Sequence, residues 1–447
     1  MIHNREQLAR SRSHAIALDC LTAGIEAADP ARLTRDAVSV ADDTLTVGET
    51  NYDLAAYDEV IVLGGGKAAA IVAAELEAIL GDHLDDGIVV TDSPRSTDRI
   101  EVLSGDHPIP AERGVESTRR LLDAAAAADD STLILAVITG GGSALMAAPA
   151  DGLSLADLRS TTDALLTSGA TINEINAVRK HCSAVKGGHL AAATQPADVC
   201  SLIVSDVVGN DLATIASGPL VGDPSTYADA RAVIDRHDSD VPAAVADRLV
   251  RGVSGEIEET PTPGDPIFET VMTTIIGDGL TAVRAAADRA RETGFAPLML
   301  SSRIRGEARE AAKTQVAIAE EITATGQPLD PPAVVVSGGE TTVSVAGDGT
   351  GGPNQEFALS AAIELADGSD DVASNIVVAA VDTDGIDGVS DAAGAIVDSD
   401  TTTATAGQSA LAANDATPLL ADAGALINTG ATGTNVNDLR VVVVPET

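Results

Sequence analysis

Tryptophan is missing from this chain of 447 residues, and phenylalanine and tyrosine occur only three times each. A core without large rings must be filled by Ala, Val, Leu and Ile, which suits stacked helices and parallel strands. Cysteine is as scarce. Cys20, Cys182 and Cys200 are odd in number and widely spaced, with no CxxC pair, which indicates neither a disulfide framework nor a zinc site. No apolar run approaches the ~20 residues of a membrane helix. The N-terminal MIHNREQLARSRSH lacks the apolar stretch of a signal peptide. These absences point to a protein of the reduced cytoplasm with no membrane partner.

Bases are the other shortage. Lysine and arginine number 27 against 68 acids, a formal net charge of −41, and Lys67, Lys180, Lys186 and Lys313 are the only lysines. No nucleic-acid partner is expected, because phosphate backbones demand clustered bases. An acidic tail would concentrate the carboxylates, whereas here they are spread through segments of regular apolar pattern. Adaptation to molar salt accounts for them better, since at ~1 M the Debye length is about 3 Å and self-repulsion is screened. A halophilic cytoplasm is therefore expected.

What the chain has in plenty is alternation of strand-like and helix-like segments, which predicts parallel βα units. EVIVL at 59–63, GIVVTD at 87–92 and TLILAVI at 132–138 read as buried strands, and 67–80 and 112–128 read as helices. LIVSDVV near 202–208 and IVVAAVDTD near 376–384 run from apolar strand into acidic turn, where open α/β sheets place ligands. Pro, Gly and Glu crowd 252–266, so the boundary is expected there, with one α/β domain over 1–255 and a second over 262–447. The segment 329–349 reads as two short strands hinged at Gly338-Gly339.

Polar glycine loops stand at the strand ends. Gly64-Gly65-Gly66-Lys67 lets the backbone approach an anion, and Lys67 adds a point charge suited to phosphate. Walker A spacing is not met, because Ala68 follows the lysine, although Gly64-x-Gly66-x-x-Ala69 fits a loose dinucleotide turn. Thr139-Gly140-Gly141-Gly142-Ser143-Ala144 can wrap the oxygens of a phosphate or carboxylate. It is no hydrolase elbow, since Leu145 stands where Gly-x-Ser-x-Gly needs its last glycine. A helix over 173–185 presents Asn176, Arg179, Ser183 and Lys186 as a polar stripe with Lys180 beside it. Asp206, ending an apolar strand, is placed to hold Mg²⁺ through one carboxylate or to accept a substrate hydroxyl proton. Each motif also has a plain structural reading, as a tight turn, an Asx turn or a helix end.

Taken in order, GGGKAA at 64–69, GDHPIP at 105–110, TGGGSALM at 139–146, EINAVRKHCSAVKGGHLA at 174–191, SDVVGND at 205–211 and IASGP at 215–219 resemble the type II glycerate kinases, whose C-terminal region is called MOFRL. GEARE, SGGETTV, NQE, DTDGIDG and TGTNVNDL extend the resemblance to about residue 445. The resemblance implies a Rossmann-like parallel sheet in the first domain, a mixed α/β second domain and an active site in the cleft between them. It also implies phosphorylation of D-glycerate by ATP with Mg²⁺, usually at the 2-hydroxyl. Lys67 and Asp206 match the family's functional lysine and aspartate, with Asp206 the candidate metal ligand. The candidate substrate- and nucleotide-binding residues are Gly64, Gly65, Gly66, Gly141, Gly142, Ser143, Arg179, Lys180, Asn210, Glu340, Asn354, Glu356, Asp384 and Asn435. One departure concerns Pro353, which stands where the family's GGRNQE has its arginine. The expected partners are D-glycerate and ATP, with a homodimer as the candidate assembly. Hydroxypyruvate reduction, a label this family has also carried, and non-catalytic sensing of small molecules are the alternative readings.

The charge imbalance makes the salt reading measurable. The thermal midpoint should rise as KCl goes from about 0.1 M to about 2 M, as screening of self-repulsion requires. A flat profile would sink the halophilic reading and reopen the search for a basic partner.

Overall fold

The structure, a computed structural model, describes residues 2–367 and 375–446. The chain packs as two units, one of Leu33–Ile276 and one of Met1–Arg32 with Gly277–Thr447. In the first unit, β1 (Val38–Ala41), β2 (Thr44–Val47) and β3 (Thr50–Asp53) form an antiparallel meander. Then come β4 (Glu59–Gly65), β5 (Asp86–Thr91), β6 (Ile100–Ser104), β7 (Thr132–Thr139), β8 (Asp198–Val204) and β9 (Val271–Gly277), in the sheet order β6-β5-β4-β7-β8-β9. The pairs from β6 through β8 are parallel, as the alternation predicts. From β4 the chain steps outward to β5 and β6, then returns to lay β7 and β8 on the other side. The β4–β7 junction is thus a topological switch point, where such sheets open a crevice at their carboxyl ends.

Helices Ala69–Leu80 and Glu112–Ala127 pack against β4 and β5, and every residue of β7 is buried. Burying one Val, Leu or Ile side chain is worth about 1.5–3 kcal/mol. The buried members of the cluster around Leu63, Val90, Leu121, Ile134 and Ile203 are all without large rings, and Phe268 packs at its margin.

The second unit carries β10 (Ala296–Glu307), β11 (Ala333–Thr342), β12 (Val377–Asp382), β13 (Gly394–Val397), β14 (Leu426–Ile427) and β15 (Asp438–Val444), in the order β10-β11-β15-β12-β13-β14. β10 pairs with β11 in parallel and the remaining pairs are antiparallel, so this sheet is mixed. No helix among the described residues is long and apolar enough to cross a membrane.

Two expectations change here. β11 runs unbroken through Gly338 and Gly339, so no hinge separates two short strands. A Cβ on Gly339 would lie 2.1 Å from the Ile304 carbonyl of β10, and one on Gly338 would lie 3.0 Å from the Asp438 carbonyl of β15. These glycines mark close strand approach rather than a turn.

The chain also divides differently from a single boundary at 252–266. That stretch stays in the first unit, where the Asp223 N–H donates to the Pro261 carbonyl at 2.8 Å. Residues before 33 join the second unit because helix Arg12–Ala27 packs on helix Gly279–Glu292 and on β15. Gly24 sets that contact: a Cβ there would meet Leu439 Cδ2 at 2.4 Å and the Ala282 carbonyl at 2.9 Å.

Candidate functional site

Beyond β4 the chain turns through Gly66, Lys67 and Ala68 into the helix Ala69–Leu80. Gly66 has φ of 138°, and a Cβ on it would fall 2.1 Å from Thr139 Oγ1. Glycine's freedom at that angle brings the turn onto the end of β7. The Lys67 N–H can then donate to the Gly140 carbonyl at 2.8 Å, and the Ala68 N–H to Thr139 Oγ1 at 3.2 Å. From the β5 side, the Thr91 hydroxyl donates to the Lys67 carbonyl at 3.2 Å. With its backbone held from two strands, Lys67 runs its stem past Gly141, whose Cβ position is 3.0 Å from Lys67 Cγ. Gly64 and Gly65 lie within β4 and serve strand approach, since a Cβ would sit 1.9 Å from the Val137 carbonyl or 2.8 Å from that of Val90.

Asp206 follows β8 and is seated over Gly140, where a Cβ would lie 2.2 Å from Oδ2. Burial pushes the Asp206 carboxyl above the ordinary aspartate range, opposed by its own backbone N–H and by the Lys67 charge. The ring of His107 lies on the other side, with Cδ2 3.2 Å from the Gly141 Cβ position. Burial and the Lys67 charge lower the His107 pKa, and Asp92 opposes them, so the ring is neutral at neutral pH. The N–H groups of Gly141, Gly142 and Ser143 find no backbone acceptor among the described residues. A cation, a carboxylate of raised basicity and a row of amide donors thus meet at the carboxyl edge of the parallel strands. Such a set can hold phosphoryl oxygens and take a proton from a hydroxyl.

The polar stripe is built on a helix shorter than expected, Ile172–His181, opened by a Thr171/Glu174 capping box and closed at Cys182. Ser143 Oγ lies 2.6 Å from Ser217 Oγ, which reaches Asn176 Oδ1 at 3.4 Å. Arg179 Nη2 and Lys186 Nζ both donate to the Ser143 carbonyl, at 3.3 and 2.7 Å, and Lys186 also donates to the Met146 carbonyl at 3.2 Å. Burial, with the Arg179 charge beside it, drives the Lys186 ammonium well below the ordinary lysine range. Lys180 points elsewhere. Its Nζ pairs with Asp223 at 3.1 Å, both side chains buried, so it is engaged inside the unit. Asn210 sits on the loop after β8 with φ of 59°, its N–H donating to the Val207 carbonyl at 3.0 Å. His107, Lys186 and Ser217 are absent from the predicted site set. The GDHPIP string and the stripe spacing are the signals that could have nominated the first two.

Of the residues predicted in the second unit, Asn354 and Glu356 are held by side chains of that unit. Helix Pro353–Asp367 starts with its Asn354 and Gln355 N–H groups donating to the two Asp387 oxygens at 2.9 and 2.8 Å. Asp387 therefore caps the N-terminus of the helix that carries the candidate residues Asn354 and Glu356. The Asn354 amide also donates to Asp438 Oδ1 at 2.7 Å, and Asp438 is ion-paired with the fully buried Arg440, which lies 4.8 Å over the Phe357 ring. Glu356 accepts from Arg309 at 2.9 Å and from Asn414 at 2.7 Å. Asp384 accepts the Ile386 N–H at 2.9 Å, and Asn435 accepts the Asn437 N–H at 3.0 Å. Burial, with the charges of Asp384 and Asp438, drives the Asp382 carboxyl well above its usual range, and burial lifts Asp387 to about 6. Glu340 is exposed near the end of β11, in register with Arg305. Among the described residues no group of three or more His, Cys, Asp or Glu side chains is placed to hold a metal ion.

The profile of the family described as Domain of unknown function (DUF4147) matches residues 16–250, and that of the MOFRL family matches residues 333–438. A glycerate 2-kinase of Pyrococcus horikoshii is 39% identical, over 96% of this chain and 97% of its own. A protein of Agrobacterium vitis that carries a provisional hydroxypyruvate reductase name is 41% identical, over 86% of this chain and 87% of its own. The crystal structure of a glycerate kinase from Thermotoga maritima is 35% identical and aligns with a TM-score of 0.83, covering 96% of this chain and 98% of its own.

The Lys180–Asp223 pair separates a structural base from a ligand-binding one. Lys180→Met strands a buried carboxylate and should cost about 3–5 kcal/mol in chemical denaturation. Adding Asp223→Asn, which keeps the Oδ1 acceptor for Ser225 and removes the stranded charge, should recover part of that loss. Unchanged stability in Lys180→Met would return this lysine to the ligand-binding set.

Proposed function

The chain belongs to the glycerate 2-kinase family, phosphotransferases with an alcohol acceptor, and on that premise we propose that it transfers the γ-phosphoryl group of ATP to the 2-hydroxyl of D-glycerate with Mg²⁺. The observation that supports this most is the meeting of Lys67 and Asp206 across the glycine loop at the β4–β7 switch point. Phosphoryl transfer asks for positioning and charge stabilisation more than for covalent chemistry by the protein. Lys67, its backbone fixed by Gly140 and Thr91, faces the charge on the transferring group, and the Gly141 and Gly142 amides donate to the same oxygens. Asp206 accepts the proton of the attacking 2-hydroxyl. The new O–P bond forms as the γ-phosphorus parts from its bridging oxygen, which leaves with the electron pair on ADP. A carboxylate lifted by burial is a better base than an ordinary aspartate. Neutral His107 lends a hydrogen-bonding ring without placing a second positive charge beside Lys67.

Mg²⁺ is commonly held through one or two carboxylates plus substrate phosphates. The nucleotide's own phosphates would hold the ion, which would neutralise their charge, and Asp206 would add its carboxylate only in place of acting as the base.

Incubation with ATP, Mg²⁺ and D-glycerate in molar KCl should release ADP and yield 2-phosphoglycerate, read by coupling through enolase with no mutase present. A requirement for the mutase would move the phosphoryl group to the 3-hydroxyl. ATP use without glycerate would remove the substrate. Oxidation of NAD(P)H by hydroxypyruvate in place of ADP release would favour the reductase reading.

The role of Asp206 is tested through pH. A base must be ionised to act, so kcat/KM should climb along an acid limb displaced above that of an ordinary aspartate. Asp206→Asn should lower kcat by at least ~10²-fold. A carboxyl whose folded pKa is raised costs stability once ionised, so the variant's thermal midpoint at neutral pH should hold or rise. A near-wild-type rate, or a marked fall in the midpoint, would make Asp206 a structural residue.

A further inference from the structure

A cavity of about 410 Å³ lies beside Ser143 in the first unit, and neither Lys67 nor Asp206 lines it. Its walls are largely apolar, with Ile109, Leu158, Leu166, Ile172 and Ile175 among them. Ile109, Leu166 and Ile172 are 64%, 61% and 58% exposed. Single exposed aliphatic residues need no explanation, but three that share one cavity mark a place where something apolar can dock.

The polar part of the cavity points the same way. Arg179 and Lys186 line it side by side, converge on the Ser143 carbonyl, and enter no ion pair among the described residues. The acid in the lining, Asp163, is exposed. Burial lowers the pKa of both bases. In a chain with 68 acids, two adjacent bases without a carboxylate, Lys186 buried and Arg179 half-buried, are an arrangement that an incoming anion would relieve. A second observation is independent of charge. Thr161 lines the cavity, is only 2% exposed, and its hydroxyl makes no hydrogen bond among the described residues. Buried hydroxyls are nearly always partnered, so this one lacks an acceptor that a ligand can bring.

We propose that this cavity is a second ligand site, which takes a carboxylate bearing an apolar chain of medium length. The carboxylate sits on Arg179 and Lys186, with the Thr161 hydroxyl as a further polar anchor, and the chain lies along Leu158, Leu166 and Ile172. Donor number favours a carboxylate: Lys186 has three N–H groups and two carbonyl acceptors, which leaves one donor beside the Arg179 fork for two oxygens. D-glycerate is the wrong shape for it. Polar at every carbon, it would leave the apolar walls in water.

The probe is potassium octanoate, titrated calorimetrically into the intact protein in molar KCl. Saturable binding at about one site per chain is expected, and it should persist with D-glycerate saturating. Leu166→Glu and Ile172→Glu alter exposed side chains that the fold tolerates. Each should weaken octanoate by at least ~10-fold while kcat and KM for D-glycerate stay as in the wild type. Arg179→Met should weaken it by a similar factor, as loss of a charged hydrogen-bond partner requires. The proposal is overturned by absent binding heat, by mouth variants that bind octanoate as tightly as the wild type, or by competitive displacement with D-glycerate, which would assign the cavity to the phosphoryl acceptor.

Discussion

Everything at the carboxyl edge of the parallel sheet depends on how closely β4 and β7 approach there, and the Lys67 N–H to Gly140 carbonyl bond fastens that approach. It forms only because Gly66 and Gly140 carry no side chain. One consequence is direction, since the bond fixes the backbone from which the Lys67 side chain leaves. Another is room, since Asp206 occupies the space a Cβ at residue 140 would fill. A third is polarity. The turn takes a carbonyl from the glycine loop and leaves the N–H groups of Gly141, Gly142 and Ser143 available, so the loop presents donors rather than acceptors to whatever lies above it. An anion is the natural guest of such a surface.

Scarcity of bases makes their placement informative. Lys180 is paired with Asp223, Arg309 with Glu356 and Arg440 with Asp438. These pairs tie buried loops together, and each carboxylate offsets the desolvation of its cation. Lys67, Arg179 and Lys186 are of another kind, because no acid pairs with them among the described residues, and all three border the Gly140–Ser143 segment. Exposure does not draw this distinction, since Lys180 and Lys186 are both buried.

Much of this was legible in the residues alone. Parallel strands buried on both faces read as unbroken apolar runs, so β4, β7 and β8 announce themselves, and a glycine triplet after such a run marks the strand end to within two residues, since Gly64 and Gly65 still belong to β4. What escaped were matters of facing and of distance along the chain. Arg179 and Lys180 are neighbours separated by about 100° around a helix, and spacing does not say which one turns toward Ser143 and which toward Asp223. Gly338-Gly339 carries the same letters whether it turns a hairpin or lets β10 and β15 crowd β11. The helix N-terminus at Asn354 looked open because its cap, Asp387, lies on a distant loop.

The path of the chain bears on how the molecule is made. Helix Arg12–Ala27 is made well before the surfaces that cover its Leu18, Leu21 and Ile25 side, which include residues 279–292 and β15. Between them lies a unit complete in its own sheet, able to condense while synthesis continues. That helix must therefore wait, its apolar face unshielded, until residues 279–292 and β15 have emerged.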